Sequence, residues 1–148
     1  MRLFAITVAA SMVLGQTPAF HLSSIAFNPD IVAGARAPKT HVVNMVLSGE
    51  AYRFEPATIT VSSGDHVKFV MLSGGPHNVA FEADSVPTAV KPVLSANMPD
   101  QISPLAGPLL DKASQTYTVS FAGVKPGTYK YFCMPHALMN MTGIVTVK

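Results

Sequence analysis

The chain has 148 residues, of which 49% are hydrophobic and 12% are charged, and its formal net charge at pH 7 is +2. This length is sufficient for one domain, and the hydrophobic fraction is sufficient for a buried core, which excludes an intrinsically disordered protein. The small net charge provides no strongly basic surface, so we expect no nucleic-acid partner.

The first 19 residues have the composition of a secretory signal peptide. Arg2 is followed by an apolar run from Leu3 to Leu14, and the segment ends at the small residue Ala19. This run is shorter than the roughly 20 residues that span a bilayer, and a retained membrane anchor is the alternative. We therefore expect a signal peptide at 1–19, a linker at 20–40 and the folded domain at 41–148. The domain would be exported to the periplasm or an equivalent compartment such as the thylakoid lumen, or anchored outside the cytoplasm.

From residue 41 onward, apolar residues recur with the period of two that is typical of β-strands. Residues 83–114 contain five prolines and no sustained periodicity, so they predict a long irregular segment with at most one or two short helical turns. The pattern predicts an all-β protein, a Greek-key two-sheet sandwich of about eight strands. The clearest strand segments are 41–48, 57–61, 66–72, 77–82, 115–121, 128–132 and 142–147.

The only cysteine, Cys133, is followed closely by His136, Met139 and Met141. An exported chain with one cysteine has no internal disulfide partner, so this thiol is a buried hydrophobe, an intermolecular disulfide partner, a nucleophile or a metal ligand. Thiolate, imidazole and thioether together suit copper in both of its common oxidation states. The loop therefore predicts a copper site that still needs one more histidine.

His77 is the candidate for that ligand. Of the five histidines, it is the one with a turn signal before it, Gly74-Gly75-Pro76, and an alternating apolar segment after it. His21 lies in the predicted leader region, His41 opens a strand, and His66 follows a turn where a solvated side chain is expected. A thioether is a poor ligand for zinc, and a single cysteine excludes iron–sulfur clusters and binuclear copper–thiolate centres.

Several motifs resemble those of the cupredoxins, the small blue copper proteins that include plastocyanin, amicyanin and pseudoazurin. The resemblance extends from about residue 41 to the end of the chain. It implies that His77, Cys133 and His136 form a trigonal set around one copper ion, with a methionine sulfur as the axial ligand. The motifs are Tyr52-x-Phe54-x-Pro56-x-x-Ile59-x-Val61-x-x-Gly64-Asp65-x-Val67-x-Phe69, Pro76-His77-Asn78, and Gly127-Thr128-Tyr129-x-Tyr131-x-Cys133-x-Pro135-His136.

Two methionines compete for the axial position. His136-x-x-Met139 resembles the amicyanin spacing, whereas His136 and Met141 have the spacing of plastocyanin and pseudoazurin. The run Met141-Thr142-Gly143-Ile144-Val145 is similar to the segment that leads into the last strand of plastocyanins and amicyanins, so we prefer Met141. The resemblance also implies that Asn78 ties the two ligand loops together, with its backbone amide near the cysteine sulfur. The alternative is an asparagine that only faces solvent.

Copper held by four protein ligands has no open position for a substrate, so the resemblance implies a non-enzymatic electron-transfer protein without a small-molecule substrate. The expected partners are redox proteins, either a cytochrome or a membrane electron-transfer complex, that bind a monomer transiently. We expect them to dock on an apolar collar around His136, unless these side chains pack inward. The collar consists of Met134, Pro135, Ala137, Leu138 and Met139.

The chain departs from plant-type plastocyanins at two places. Phe132 precedes Cys133 where those proteins have tyrosine, and Glu82-Ala83-Asp84-Ser85 is less acidic than their corresponding segment. A photosynthetic partner is therefore not implied, and respiratory or denitrification chains are equally compatible. Copper storage or delivery, with Met139 as an exchange ligand, is the alternative function. A multicopper oxidase or nitrite reductase fragment would need additional histidine pairs, which the sequence lacks.

Overall fold

Alternating apolar residues form eight β-strands in the computed structural model, which describes residues 36–148. The predicted signal peptide and residues 20–35 of the predicted linker lie outside the described residues. Within the described part, no helix is long and apolar enough to cross a membrane. The strands are β1 (Thr40–Ser48), β2 (Ala51–Glu55), β3 (Thr58–Val61), β4 (His66–Met71), β5 (Ala80–Phe81), β6 (Thr116–Ser120), β7 (Gly127–Phe132) and β8 (Thr142–Val147).

The strands form two four-stranded sheets, ordered β2-β1-β4-β6 and β3-β8-β7-β5. The β1–β4 and β3–β8 pairs are parallel, and the other pairs are antiparallel. The chain crosses repeatedly between the two sheets, as it does in Greek-key sandwiches. The predicted two-sheet sandwich of about eight strands is confirmed.

One face of each sheet contributes to a shared hydrophobic core. On β4, Val67, Phe69 and Met71 are buried and alternate with half-buried neighbours, as the period of two predicts. Tyr131 of β7 lies in the aromatic part of this core. Its ring centroid is 4.8 Å from that of Phe54, 5.4 Å from that of Phe69 and 5.9 Å from that of Phe81.

The segment predicted to be irregular contains one short helix, α1 (Lys91–Ala96), in agreement with the expected helical turns. The helix begins next to Pro92, which is tolerated in a first turn, and it buries Leu94 in the core. Strand β2 was not predicted as a separate strand. It forms because Gly49, with φ of 62°, allows a tight turn that pairs β2 with β1.

Asp65 connects the segment before β1 to the sandwich. The backbone N–H groups of Ser62 and Lys39 donate to its carboxylate at 3.0 and 2.9 Å. Arg36 forms an ion pair with the same carboxylate, and His41 Nε2 lies 3.0 Å from it. The backbone hydrogen bonds from Ser62 and Lys39 are the main reason that the pKa of Asp65 lies well below its usual range.

Two predictions about histidines are wrong. His77 does not begin a strand; its N–H donates to the Leu110 carbonyl at 2.9 Å, and Leu110 N–H donates back at 2.7 Å. His77 thus pairs with a residue of the irregular segment 83–114 and not with a strand of the sheet. Pairing with β7 begins only at Ala80. His66 is half-buried rather than solvated, because β4 has β1 on one side and β6 on the other.

Candidate metal centre

His77, Cys133 and His136 meet at one end of the sandwich and are all buried. Their ligand atoms all lie within 4.8 Å of one another. Cys133 Sγ is 3.6 Å from His77 Nδ1 and 3.4 Å from His136 Nδ1. The structure therefore brings together one sulfur and two imidazole nitrogens, as the sequence predicts.

The sheet and the connection between β7 and β8 hold Cys133 and His136. Cys133 directly follows β7 and faces the core, as Tyr129 and Tyr131 do at the alternate positions before it. Cys133 N–H donates to the Met141 carbonyl at 3.0 Å, and Met141 N–H donates to the His136 carbonyl at 3.3 Å. These two hydrogen bonds link both ends of the β7–β8 connection to its middle, so the backbones of Cys133, His136 and Met141 hold one another in place.

The tautomer of His77 is determined by its second nitrogen. His77 Nε2 lies 2.8 Å from the Ser73 carbonyl, which only accepts hydrogen bonds, so Nε2 carries the proton. Nδ1 therefore keeps its lone pair and points towards Cys133. A carbonyl bonded to the far nitrogen is a common way to orient a metal-binding imidazole.

The distances between these atoms fit one metal ion. Bonds of about 2.3 Å to sulfur and about 2.0 Å to nitrogen, at angles between tetrahedral and trigonal, separate the two atoms by roughly 3.5–3.7 Å. The observed separations of 3.6 and 3.4 Å are close to that value without rearrangement. One thiolate and two imidazoles, with a thioether as a further ligand, form a set that is chemically suited to copper.

Burial controls the protonation of the three groups. It lowers the pKa of His77 and of His136, and the neighbouring His77 lowers that of His136 further. It raises the pKa of Cys133, while backbone hydrogen bonds from Asn78 and His136 oppose that shift. The imidazoles are thus kept neutral and able to donate lone pairs, and a bound cation would favour the thiolate and displace its proton.

Asn78 ties the two ligand segments together, as the resemblance implies. It is buried, and its Oδ1 accepts a hydrogen bond from Met134 N–H at 2.8 Å. Its Nδ2 donates to the Gly107 carbonyl at 3.3 Å. The alternative of a solvent-facing asparagine is wrong, because this side chain spans the gap between the His77 and Cys133 segments.

The two candidate methionines have different environments. Met141 is fully buried, whereas Met139 is 55% exposed and lies in a single 3₁₀ turn, Ala137–Met139. Asn140 follows that turn with φ of 58°, a left-handed conformation that asparagine tolerates better than most residues. The turn directs the chain back into the core at Met141 and leaves Met139 at the surface.

The collar residues Met134, Pro135, Ala137, Leu138 and Met139 are all exposed. Leu138 is 99% exposed, the largest value among the exposed large hydrophobic side chains of the described residues. His136 lies beneath them and is 6% exposed. The alternative in which these side chains pack inward is therefore wrong.

Sequence reasoning missed the position of Tyr52. Its ring lies parallel to the His136 imidazole, with a centroid separation of 3.7 Å and an interplanar angle of 13°. It also meets His77 edge-on, with centroids 6.1 Å apart. In the sequence, Tyr52 belongs only to an early-strand motif, and nothing near it indicates a contact so distant along the chain.

Comparison with known proteins identifies the family. Residues 40–148 match the sequence profile of the copper binding proteins of the plastocyanin/azurin family. Plastocyanin from Ginkgo biloba is 39% identical over 100 residues, which cover 68% of this chain and 92% of that protein. Chloroplastic plastocyanin from Physcomitrium patens is 37% identical over 117 residues, which cover 79% of this chain but only 61% of that longer protein.

Solved structures agree with this relationship. The oxidised form of plastocyanin from Dryopteris crassirhizoma superimposes with a TM-score of 0.59 at 30% identity, covering 73% of this chain and all of that one. A Sinorhizobium pseudoazurin gives a TM-score of 0.51 at 27% identity, covering 74% of each chain. The chain therefore belongs to the plastocyanin/azurin family of copper-binding proteins, and copper is its cofactor.

Proposed function

We propose that this plastocyanin-like copper protein is a type 1 electron carrier whose copper ion is bound by His77, Cys133, His136 and Met141. The observation that carries the proposal is the buried cluster in which both Nδ1 atoms already lie within 3.6 Å of the thiol sulfur. When bound, copper supplies a one-electron couple between Cu(II) and Cu(I). The protein contributes a cage that changes little when the electron arrives or leaves.

Three hydrogen-bonded constraints support such a cage. Ser73 fixes the His77 ring, Asn78 fixes the amide that follows Cys133, and the backbone of Met141 is bonded to both Cys133 and His136. A site whose ligands cannot move much has a low reorganisation cost, which favours rapid electron exchange. The same closed ligand set excludes water and substrates, in keeping with a carrier rather than an enzyme.

We assign the fourth ligand to Met141 rather than Met139, so the thioether of Met141 would hold copper together with His77, Cys133 and His136. Full burial and backbone bonds to two other ligand residues support Met141, whereas Met139 is more than half exposed. A thioether that shares a metal with the buried His77 and His136 would have to reach the interior, and an exposed side chain does so only by leaving the surface. Met139 therefore contributes to the collar instead.

The collar supports a docking role. Exposed apolar side chains next to a ligand with one edge near solvent provide a small, weakly binding surface, which suits a partner that must leave after one electron. We propose that this surface contacts a cytochrome or a membrane electron-transfer complex, with the carrier acting as a monomer. The protein would act in an exported compartment, with residues 1–19 as its signal peptide or anchor, 20–40 as a linker and 41–148 as the copper domain.

The absorption spectrum of the copper-loaded protein tests the ligand assignment. We expect a strong thiolate-to-copper band that Cys133→Ser abolishes, because serine offers no soft donor. A wild-type protein that is fully loaded with Cu(II) but colourless would overturn the proposal. Met141→Leu and Met139→Leu form a matched pair that conserves side-chain volume: only the first is expected to shift the band and the reduction potential strongly.

Copper storage or delivery is the second candidate, because the exposed side chain of Met139 offers a point for copper exchange. Transfer of Cu(I) to a competing chelator separates the two functions. Slow loss, unchanged in Met139→Leu, supports the electron carrier. Rapid loss that depends on Met139 would support delivery.

A further inference from the structure

We infer that Tyr52 is the positioning residue that keeps the His136 imidazole aimed at the metal in both oxidation states. This inference rests on the proposed function, because it concerns the behaviour of one of the proposed ligands. Of the two imidazoles, His77 is held by a hydrogen bond from Nε2 to Ser73, whereas no such bond is found for His136 Nε2 among the described residues. Something else must restrain the His136 ring.

The geometry of the stack supplies that restraint. The Tyr52 and His136 rings are nearly parallel, 13° apart, with centroids separated by only 3.7 Å. Rotation of the imidazole about its Cβ–Cγ bond would drive its edge into the phenol ring. The stack therefore resists this motion without using either nitrogen, which leaves Nδ1 free to face Cys133 Sγ at 3.4 Å.

Tyr52 is itself confined. It lies on β2, where its backbone pairs with Leu47 of β1. Gly74, with φ of 74°, lets the segment before His77 pass close to the ring: a side chain at this position would place its first carbon 3.1 Å from Tyr52 Cε1 and still closer to Leu47. The ring thus stacks on His136, lies in a T-shaped arrangement with His77 and passes close to the Gly74 segment, so its own orientation is restricted.

The stack also favours one oxidation state. An imidazole that donates its lone pair to a cation becomes electron-poor, and the electron-rich face of a phenol ring attracts it more strongly as the charge of the metal rises. Tyr52 therefore stabilises Cu(II) more than Cu(I) and lowers the reduction potential. Replacing the ring by an aliphatic side chain is expected to raise the potential.

The test compares Tyr52→Leu with Tyr52→Phe, which keeps the ring and removes only the hydroxyl. In the metal-free protein, we expect upfield ring-current shifts of the His136 ring protons in the wild type and in Tyr52→Phe, and their loss in Tyr52→Leu. Aromatic pairs contribute enough beyond buried area that Tyr52→Leu should weaken Cu(II) binding by about twofold to tenfold, with a smaller loss for Cu(I). Tyr52→Phe should restore affinity and potential to nearly the wild-type values.

The outcomes separate this inference from the proposed function. A wild-type protein with a thiolate-to-copper band, and a Tyr52→Leu variant with unchanged Cu(II) affinity and potential, would overturn the role of Tyr52 and leave the carrier function standing. Absence of the ring-current shift in the metal-free wild type would overturn it as well, even if the leucine variant failed to fold. Absence of the thiolate-to-copper band in the wild type loaded with Cu(II) would instead refute the ligand assignment itself.

Discussion

The hydroxyl of Tyr131 should destabilise the protein, and Tyr131→Phe should stabilise it. Tyr131 is fully buried among aromatic rings, and within residues 36–148 its hydroxyl has no hydrogen-bond partner. The hydroxyl lies against Gly143, its register partner on β8, where any side chain would collide with it. The ring is therefore well packed, but its buried oxygen has lost its hydrogen bonds to water without forming one within the described residues.

The expected magnitude combines two opposing terms. An unpaired buried hydroxyl costs about 1–3 kcal/mol. Removing the oxygen leaves a small void, which costs roughly 0.3 kcal/mol if about 12 Å³ stays unfilled. The net gain in the free energy of unfolding is then about 1–2 kcal/mol, or a rise of roughly 4–8 °C in the melting temperature of a domain of this size.

Urea unfolding of the metal-free protein is the appropriate assay, because copper binding would add its own stabilisation. Tyr129→Phe is the matched control: the Tyr129 hydroxyl donates to the Lys125 carbonyl at 2.6 Å, so this variant should lose about 1 kcal/mol. The two substitutions remove the same atom from the same strand and should change stability in opposite directions. A loss in Tyr131→Phe as large as that in Tyr129→Phe would refute the reasoning.

Three further substitutions test other contacts. Asn78→Ala leaves the Met134 amide without its acceptor, so it should lower the free energy of unfolding in urea by about 2 kcal/mol. It should also broaden the thiolate-to-copper band. A band of unchanged width would show that this hydrogen bond does not constrain the site. Gly143→Ala places a methyl group against the Tyr131 ring and should destabilise the protein by about 2 kcal/mol. If this variant were as stable as the wild type, the ring would have to move aside freely. Asp65 has a depressed folded-state pKa, so its contribution is present at neutral pH and is lost as the pH falls below about 4. Asp65→Asn should therefore be less stable than the wild type at pH 7, with the difference shrinking towards pH 3, and a difference independent of pH would exclude the charge as its cause.

Local pattern was sufficient for most of the sandwich. Strand β8 is predicted with the observed bounds, and β4 is predicted to within one residue, because in both strands buried residues alternate with less buried ones. The apolar alternation gives a wrong strand start at His77, because the residue that pairs with His77 lies in an irregular segment. His77 pairs with Leu110, a residue in a proline-rich segment whose path no periodicity reveals.

In the candidate site, too, the residues close together in sequence could be predicted, whereas a contact between distant segments could not. Spacing within one connection indicated Cys133 and His136, and the resemblance added the choice between two methionines. The stack of Tyr52 on His136 could not be predicted, because a contact between aromatic rings on distant segments leaves no signature in either segment. Contacts of this kind depend on the register of β2 against β1 and on the close approach that Gly74 allows.

The metal-binding geometry is largely a property of the fold before copper arrives. Cys133 takes its direction from the alternation of β7, and its N–H bond to the Met141 carbonyl continues the β7–β8 pairing beyond the last ladder residue. His77 is held by its bonds to Leu110 and Ser73, both outside that hairpin. Copper should therefore stabilise the protein mainly by binding an existing native site, so its effect on the unfolding midpoint should grow with the logarithm of free copper concentration. A metal-free chain that lacked the native near-ultraviolet dichroism of its buried tyrosines would contradict this view, since the cage could then not precede the metal.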